Sequence, residues 1–198
     1  SHEVFPITDC LVASEKLGVG KVLAARHVDV DRLSLPDEMR IEEIHVHGNS
    51  FQYRVSKESF WQGHIRAAEV LGEAALNSLS PRKGERALDL YGGVGLFAKL
   101  LASAGARVEI IESSSAAIGD AQFNLRDFSD VRFHEGDVAK EIVKIKEAEI
   151  VLLDPPRSGA ELVVLEQIVK LAPRRICYIS CDPASLARDT QRLVERGY

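Results

Sequence analysis

Residues 86–112 read RALDLYGGVGLFAKLLASAGARVEIIE, and the way this stretch parses sets the fold. RALDLY (86–91) is a short apolar run of strand length, and glycines 92, 93 and 95 interrupt it. GLFAKLLASAG (95–105) then reads as a helix, and RVEIIE (107–112) as a second strand. Strand, glycine turn, helix and strand in that order imply parallel pairing, because a crossover helix brings the chain back to start its next strand in the same direction.

The alternation continues to the end of the chain. SSAAIGDAQFNL is a helix, VRFHEG a weaker strand and AKEIVKIKE a helix. AEIVLLDPP is a strongly hydrophobic strand closed by two prolines, AELVVLEQIVKLA a helix, RRICYIS the fifth strand and PASLARDTQRLVERG the last helix. The fold class is therefore α/β, a parallel sheet with helices on both faces. Ligands of such sheets bind beyond the carboxyl ends of the strands, where Tyr91, Glu112, Asp154 and Cys181 all fall.

The first part of the chain differs. RIEEIHVHGNSFQYRVS (40–56) alternates and turns at HGNS, with Gly48 and Asn49 as the expected turn residues of a β-hairpin. SFWQGHIRAAEVLGEAALNSL (59–79) reads as a helix, and SPRKGE (80–85) as the loop into the sheet. Residues 1–39 show no clear period. Two parts are expected: 1–58, the remnant of a β-containing domain, and 59–198, a ligand-binding sheet domain.

Composition narrows the classes. The 198 residues are 45% hydrophobic, ordinary for a globular chain, with no apolar run near the ~20 residues of a membrane span. Cys10, Cys177 and Cys181 give neither a disulfide framework nor a zinc spacing, so a reducing compartment, the cytoplasm, is expected. The net charge of −5 argues against an extended nucleic-acid surface while leaving room for a local basic patch. The histidines show no metal spacing. His45 and His47 would share a strand face, and a surface pair is preferred to a metal site there.

The glycine turn carries the first chemical suggestion. Gly93 and Gly95 let a ligand approach the backbone where a helix begins. Glu112 would accept hydrogen bonds from ribose hydroxyls, and Asp137 would meet an adenine. A nucleoside-type cofactor follows from glycines, Glu112 and Asp137 in this order. Gly93-x-Gly95-x-x-Ala98 also fits the relaxed dinucleotide fingerprint, which keeps a nicotinamide-dependent oxidoreductase as an alternative. Asp89, ahead of the glycines, favours S-adenosylmethionine, whose sulfonium and amino groups are cationic.

LLDPPRSG closes the fourth strand. Pro155 and Pro156 would hold the Asp154 carboxylate on a stiff backbone, and Arg157 would suit a phosphate or carboxylate. Cys177 sits inside the last strand and reads as a small buried hydrophobe. Cys181 lies past that strand, before Asp182 as helix cap and Pro183 at the first helical position, where the helix terminus favours the thiolate. A thiolate serves carbon methylation in particular. By adding to carbon 6 of a pyrimidine, it makes the otherwise inert carbon 5 electron-rich.

With these residues the chain resembles the S-adenosylmethionine-dependent RNA 5-methyluridine methyltransferases, which act on tRNA or ribosomal RNA. SFWQ is similar to the family's F-x-Q element, DLYGGVGLF to its glycine loop, DPPR to its D-P-x-R motif and SCDPASLARD to its S-C-N-P-A-T segment. The resemblance implies a Rossmann-like class I methyltransferase sheet, with five of seven strands present. It implies Cys181 as nucleophile and Gln62, Tyr91, Gly93, Gly95, Glu112, Asp137 and Asp154 as cofactor contacts. Phe60 and Arg157 become substrate contacts, RNA the partner, and a monomer the expected state. No membrane and no metal are expected. Trp61 would stack on a base or pack in the core.

The sequence departs from the family in Asp182 for asparagine, Ser185 for threonine, Gly92 for cysteine and Leu96 for a cofactor-side asparagine. The family's glutamate base has no counterpart here and is expected after Tyr198, with the last two strands; residues 1–198 are then expected to bind cofactor without turnover. ITDC resembles a segment carrying the last cysteine of an iron–sulfur site, but Cys10 alone makes no such site. A non-catalytic RNA-binding or assembly module is the remaining alternative. The particular RNA and uridine are not readable.

Overall fold

The computed structural model describes residues 39–198. Expectations for His2, Cys10 and His27 lie outside the described residues. The elements run β1 (Arg40–Val46), β2 (Asn49–Val55), α1 (Ala67–Leu79), β3 (Arg86–Leu90), α2 (Leu96–Ser103), β4 (Arg107–Glu112), α3 (Ser115–Asn124), β5 (Val131–Glu135), α4 (Val138–Glu141), β6 (Ile150–Leu153), α5 (Leu162–Leu171), β7 (Arg175–Tyr178) and α6 (Pro183–Val194). A short 3-10 turn, Ile142–Lys144, follows α4.

Strands β3–β7 form one sheet in the order β5-β4-β3-β6-β7, with every neighbouring pair parallel. The chain starts in the centre at β3, steps outward to β5, then crosses back to β6 and β7. The order therefore reverses at β3 and β6, whose carboxyl ends open a crevice. Side chains alternate across the sheet. Ala87, Val108, Ile110, Ile150 and Leu152 face a core shared with α1, α2, α3 and the hairpin. Leu88, Leu90, Ile111, Val151 and Leu153 face a second core under α4, α5 and α6. Both faces are covered, which is why these strands read as continuous apolar runs.

The hairpin is tied to the first core by Ile44, Val46, Tyr53 and Val55. Its turn is His47–Gly48, at φ +48° and +77°, one residue earlier than expected. Asn49 instead pairs with Val46 inside the ladder, and its side-chain amide donates to the His47 carbonyl at 3.3 Å. Two consecutive positive φ values match the right-handed twist of the strands. His47 thus sits in the turn and does not share a strand face with His45. Among the described residues, no three His, Cys, Asp or Glu side chains are grouped to hold a metal.

Two helices are shorter than their periodicity suggested. The run 59–79 is helical only from Ala67. Ser59 is buried and its hydroxyl donates at 2.7 Å to Asp120 on α3, while Trp61 lies 5.3 Å from the Tyr53 ring. These long-range contacts hold residues 59–61 in a bridge between the hairpin and α1. The stretch AKEIVKIKE shortens to α4 and its 3-10 turn, because Ile142 and Ile145 dive into the second core.

Candidate functional site

The site gathers where β3, β4, β6 and β7 end. In β3, Asp89 lies on the same face as Ala87, paired in register with Ile110 and Leu152, so alternation drives a carboxylate into an apolar core. Its exposure is 0%, and neither oxygen has a hydrogen bond of good geometry, although the Ala98 amide lies close enough to favour the charge. Burial pushes its pKa up to about 8, the Ala98 amide opposes this in part, and the charges of Asp154 and Glu112 add to it. An unpartnered buried carboxyl is costly, and it is the strongest sign of a missing partner among the described residues. The sequence reads Asp89 as an acid that favours a cationic cofactor; its isolation inside the core comes from the fold.

Tyr91 follows β3 with φ +60°, a conformation that costs a non-glycine residue energy and is found where a loop is held for function. Its ring packs towards the second core, and burial pushes its hydroxyl up to about 12. Gly93 donates its amide to Glu112 at 3.0 Å, and a Cβ added to it would meet nothing within 4 Å. Gly95 has the opposite environment. At φ +82° it caps α2, and a Cβ there would lie 2.5 Å from Leu125 Cδ1. Of the two predicted glycines, Gly93 faces open space and Gly95 serves the packing of α3.

Glu112, at the end of β4, also accepts the Ser114 amide at 2.8 Å, so one carboxylate orders both the glycine loop and the entry to α3. Asp137 is exposed and caps α4, accepting the Lys140 amide at 3.1 Å. Gln62 is half-buried in the bridge before α1. Phe60 beside it is 71% exposed.

Asp154 begins where β3 and β6 part. Its amide still donates to the Leu90 carbonyl at 3.3 Å, while its half-buried carboxyl is pushed up to about 6 by burial. Arg157 is exposed and close enough to Asp182 for its charge to help hold that carboxyl below the usual range, after the dominant hydrogen bond from the Ser185 amide. Asp182 caps α6, accepting that amide at 2.7 Å, with Pro183 in the first turn. Cys181 is exposed, immediately before this capped start. Cys177 is half-buried within β7, and burial pushes its thiol up.

Sequence reading missed two buried acids that organise these pieces. Asp120 on α3 accepts from Arg54 Nε at 2.8 Å, the Ser56 amide at 2.7 Å and the Ser59 hydroxyl at 2.7 Å. Asn124, one turn on, donates to the carbonyls of Arg54 and Val94, both at 2.9 Å, joining hairpin and glycine loop. Asp189 on α6 does the same for the DPPR loop. A charged residue on an amphipathic helix reads as solvent-facing, and partners tens of residues away leave no local trace.

The arrangement thus has acids and open backbone at one end of the crevice and an exposed thiol with an arginine at the other. The family described as tRNA (Uracil-5-)-methyltransferase matches residues 11–134. An uncharacterized RNA methyltransferase of Streptomyces avermitilis is 38% identical, with 100% of this chain aligned to 57% of that relative. The 23S rRNA (uracil(1939)-C(5))-methyltransferase RlmD of Aeromonas hydrophila is 40% identical across 70% of this chain and 33% of its own length. The structure of the Pyrococcus abyssi tRNA (uracil-54, C5)-methyltransferase in complex with S-adenosyl-L-homocysteine superposes with a TM-score of 0.65 at 31% identity, over 77% of this chain and 38% of that one. The chain spans little more than half the length of the relatives from Streptomyces avermitilis and Streptomyces coelicolor, 57% and 54%. The fold is a class I methyltransferase sheet with a small antiparallel hairpin before it. The match covers the hairpin, the glycine loop and the acids of β3 and β4 in one continuous stretch, and on it this chain belongs to the tRNA (uracil-5-)-methyltransferase family.

Proposed function

We propose that this chain is the cofactor-binding and nucleophile-bearing part of an RNA uracil-C5 methyltransferase that uses S-adenosylmethionine. The observation that carries the reading is the exposed Cys181 thiol at the capped start of α6, at the same sheet edge as Asp154, in a chain of this family.

The residues present fit the cofactor. The orphaned Asp89 carboxyl and the open space at Gly93 suit a ligand that brings positive charge and hydrogen-bond donors. Gln62, Tyr91, Gly93, Gly95, Glu112 and Asp137 would hold it, with Asp154 between it and the substrate. When bound, S-adenosylmethionine supplies an electrophilic methyl group.

The protein's own residues prepare the base. Cys181, as its thiolate, forms a bond from sulfur to carbon 6 of the uracil. The carbon 5–carbon 6 π electrons move onto the carbon 4 oxygen as an enolate, and carbon 5 becomes the nucleophile. The enolate pair becomes the bond from carbon 5 to its new methyl group and the carbon 4 carbonyl is restored; a base then takes the carbon 5 proton, the carbon–hydrogen pair forms the carbon 5–carbon 6 double bond, and the sulfur–carbon bond breaks with its electrons returning to sulfur. The role of base is given to no residue among the described ones. Arg157 and Phe60 would meet the RNA, one through charge and the other through a stacked base.

The reading includes a division at residue 58, a cytoplasmic location and a monomer. None of the helices among the described residues is long and apolar enough to cross a membrane. The test is a pair of titrations on the full-length protein with S-adenosylmethionine and NADH, followed by tritiated methyl transfer to tRNA and 23S rRNA transcripts. Binding of the first alone, with transfer abolished in Cys181→Ala, is expected. NADH binding alone, or full transfer by the alanine variant, would refute the reading.

A further inference from the structure

A carboxylate that no step of this reaction uses is buried between the two segments that bear the reacting groups. Asp189 lies in α6, two turns after Cys181, and its exposure is 0%. Its Oδ2 accepts from the Ala160 amide at 2.9 Å and from the Tyr178 hydroxyl at 2.7 Å, and its Oδ1 from Arg188 Nε at 2.9 Å. Arg188 in turn donates through Nη2 to the Ser158 carbonyl at 2.7 Å. Between these two anchors sits Gly159, where a Cβ would lie 2.3 Å from Arg188 Nη2 and 2.4 Å from Asp189 Oδ2. Residues 158, 159 and 160 are thus each pinned or pressed against α6. This is the segment that follows directly on Asp154 and Arg157, and Tyr178 closes the strand that leads to Cys181.

The charge is well kept. Burial alone would raise the Asp189 pKa, yet hydrogen bonds from Arg188, Tyr178 and Ala160 outweigh it and hold the carboxyl below the usual range. None of the groups assigned to the cofactor hydrogen-bonds to it. Every partner of Asp189 belongs to the DPPR loop, β7 or α6, the pyrimidine side of the crevice.

Resting on the function proposed above, we infer that Asp189 is a positioning residue that locks the Arg157-bearing loop to the helix that starts at Cys181. In Asp189→Asn the shape is kept, but an NH2 group must face the Ala160 amide with Tyr178, or Arg188 Nε, donor against donor. The loop then shifts, and a displacement of about 1 Å between reacting groups costs on the order of 100-fold in rate.

The experiment uses the full-length protein and tRNA and 23S rRNA transcripts containing 5-fluorouridine, whose carbon 5 has no removable proton and traps the thiol adduct. Adduct rate and S-adenosylhomocysteine affinity are measured for wild type, Asp189→Asn, Gly159→Ala and Tyr178→Phe. The expected result is a split. Affinity stays within twofold of wild type, and adduct formation falls about 100-fold in the first two variants and several-fold in Tyr178→Phe, which loses one donor of four, the fourth being Arg192 Nη1 at 3.5 Å. A purely structural role would lower both together. An adduct rate within threefold of wild type in Asp189→Asn, or a parallel loss of affinity, would overturn the inference. If Asp189→Asn does not fold, Gly159→Ala and Tyr178→Phe decide in the same way, with unchanged adduct rates in both as the contrary result. No adduct from wild type would overturn the parent reading and this inference with it, whereas a wild-type adduct without the split overturns this inference alone.

Discussion

Replacing Asp89 by asparagine tests the buried acid that the fold itself does not satisfy. Its carboxyl is pushed from 3.8 to about 8 in the folded chain, chiefly by burial. Since the folded value is raised, the native state holds its proton more tightly than the unfolded chain does. Its contribution to stability is complete below about pH 4 and is lost as the pH climbs through about 8. Each tenfold change in proton affinity is worth ~1.4 kcal/mol, so the loss across that window is on the order of 5 kcal/mol. Relaxation and water entry around the charge make this an upper bound. A chain of this size changes its Tm by ~2–4 °C per kcal/mol. Asparagine is neutral at every pH and pays only a constant cost for its unpaired amide. The assay is thermal unfolding of the ligand-free protein, wild type against Asp89→Asn, from pH 5 to pH 9. From pH 5 to about 8 this amounts to ~4 kcal/mol at most, so the wild-type Tm should fall relative to the variant by up to roughly 8–16 °C. S-adenosylhomocysteine should shrink the gap in wild type and bind the variant at least ~10-fold more weakly, a loss of ~1.4 kcal/mol. Parallel Tm curves would refute the reasoning, because they would mean that the folded chain gives the carboxyl an ordinary environment.

Two further substitutions probe the supports of the site. Asp120→Ala strands Arg54, Ser56 and Ser59, which all donate to one buried carboxylate, and is expected to cost about 3–5 kcal/mol in urea unfolding. Gly95→Ala places a Cβ 2.5 Å from Leu125 at a φ of +82°, and should cost about 2–4 kcal/mol in the same assay.

The parallel sheet was readable because both of its faces are buried. IVLL had to be apolar on each side, RALDL breaks that pattern only at Arg86 and Asp89, and the glycines marked the turn between β3 and α2. The cap of α6 was readable for a local reason, since Asp182 and Pro183 act within one turn. What escaped the sequence depends on distance. Ser59 leaves the helical pattern for a carboxylate on α3 that lies 61 residues on. Asp189 has the spacing of a solvent-facing residue, and its partners Tyr178 and Ala160 stand 11 and 29 positions away. Asp89 was visible as an acid in the right place, but its isolation inside the core required the register of three strands.

The central claim is that the sulfur of Cys181 bonds to the ring it helps to methylate. Its direct measurement is peptide mass spectrometry of the full-length protein after incubation with S-adenosylmethionine and 5-fluorouridine RNA, followed by nuclease and protease digestion. The account predicts a methylated fluorouridine nucleotide on the peptide that carries Cys181 and none in Cys181→Ala. An adduct on another residue, or continued methylation of uridine RNA by Cys181→Ala, would contradict it.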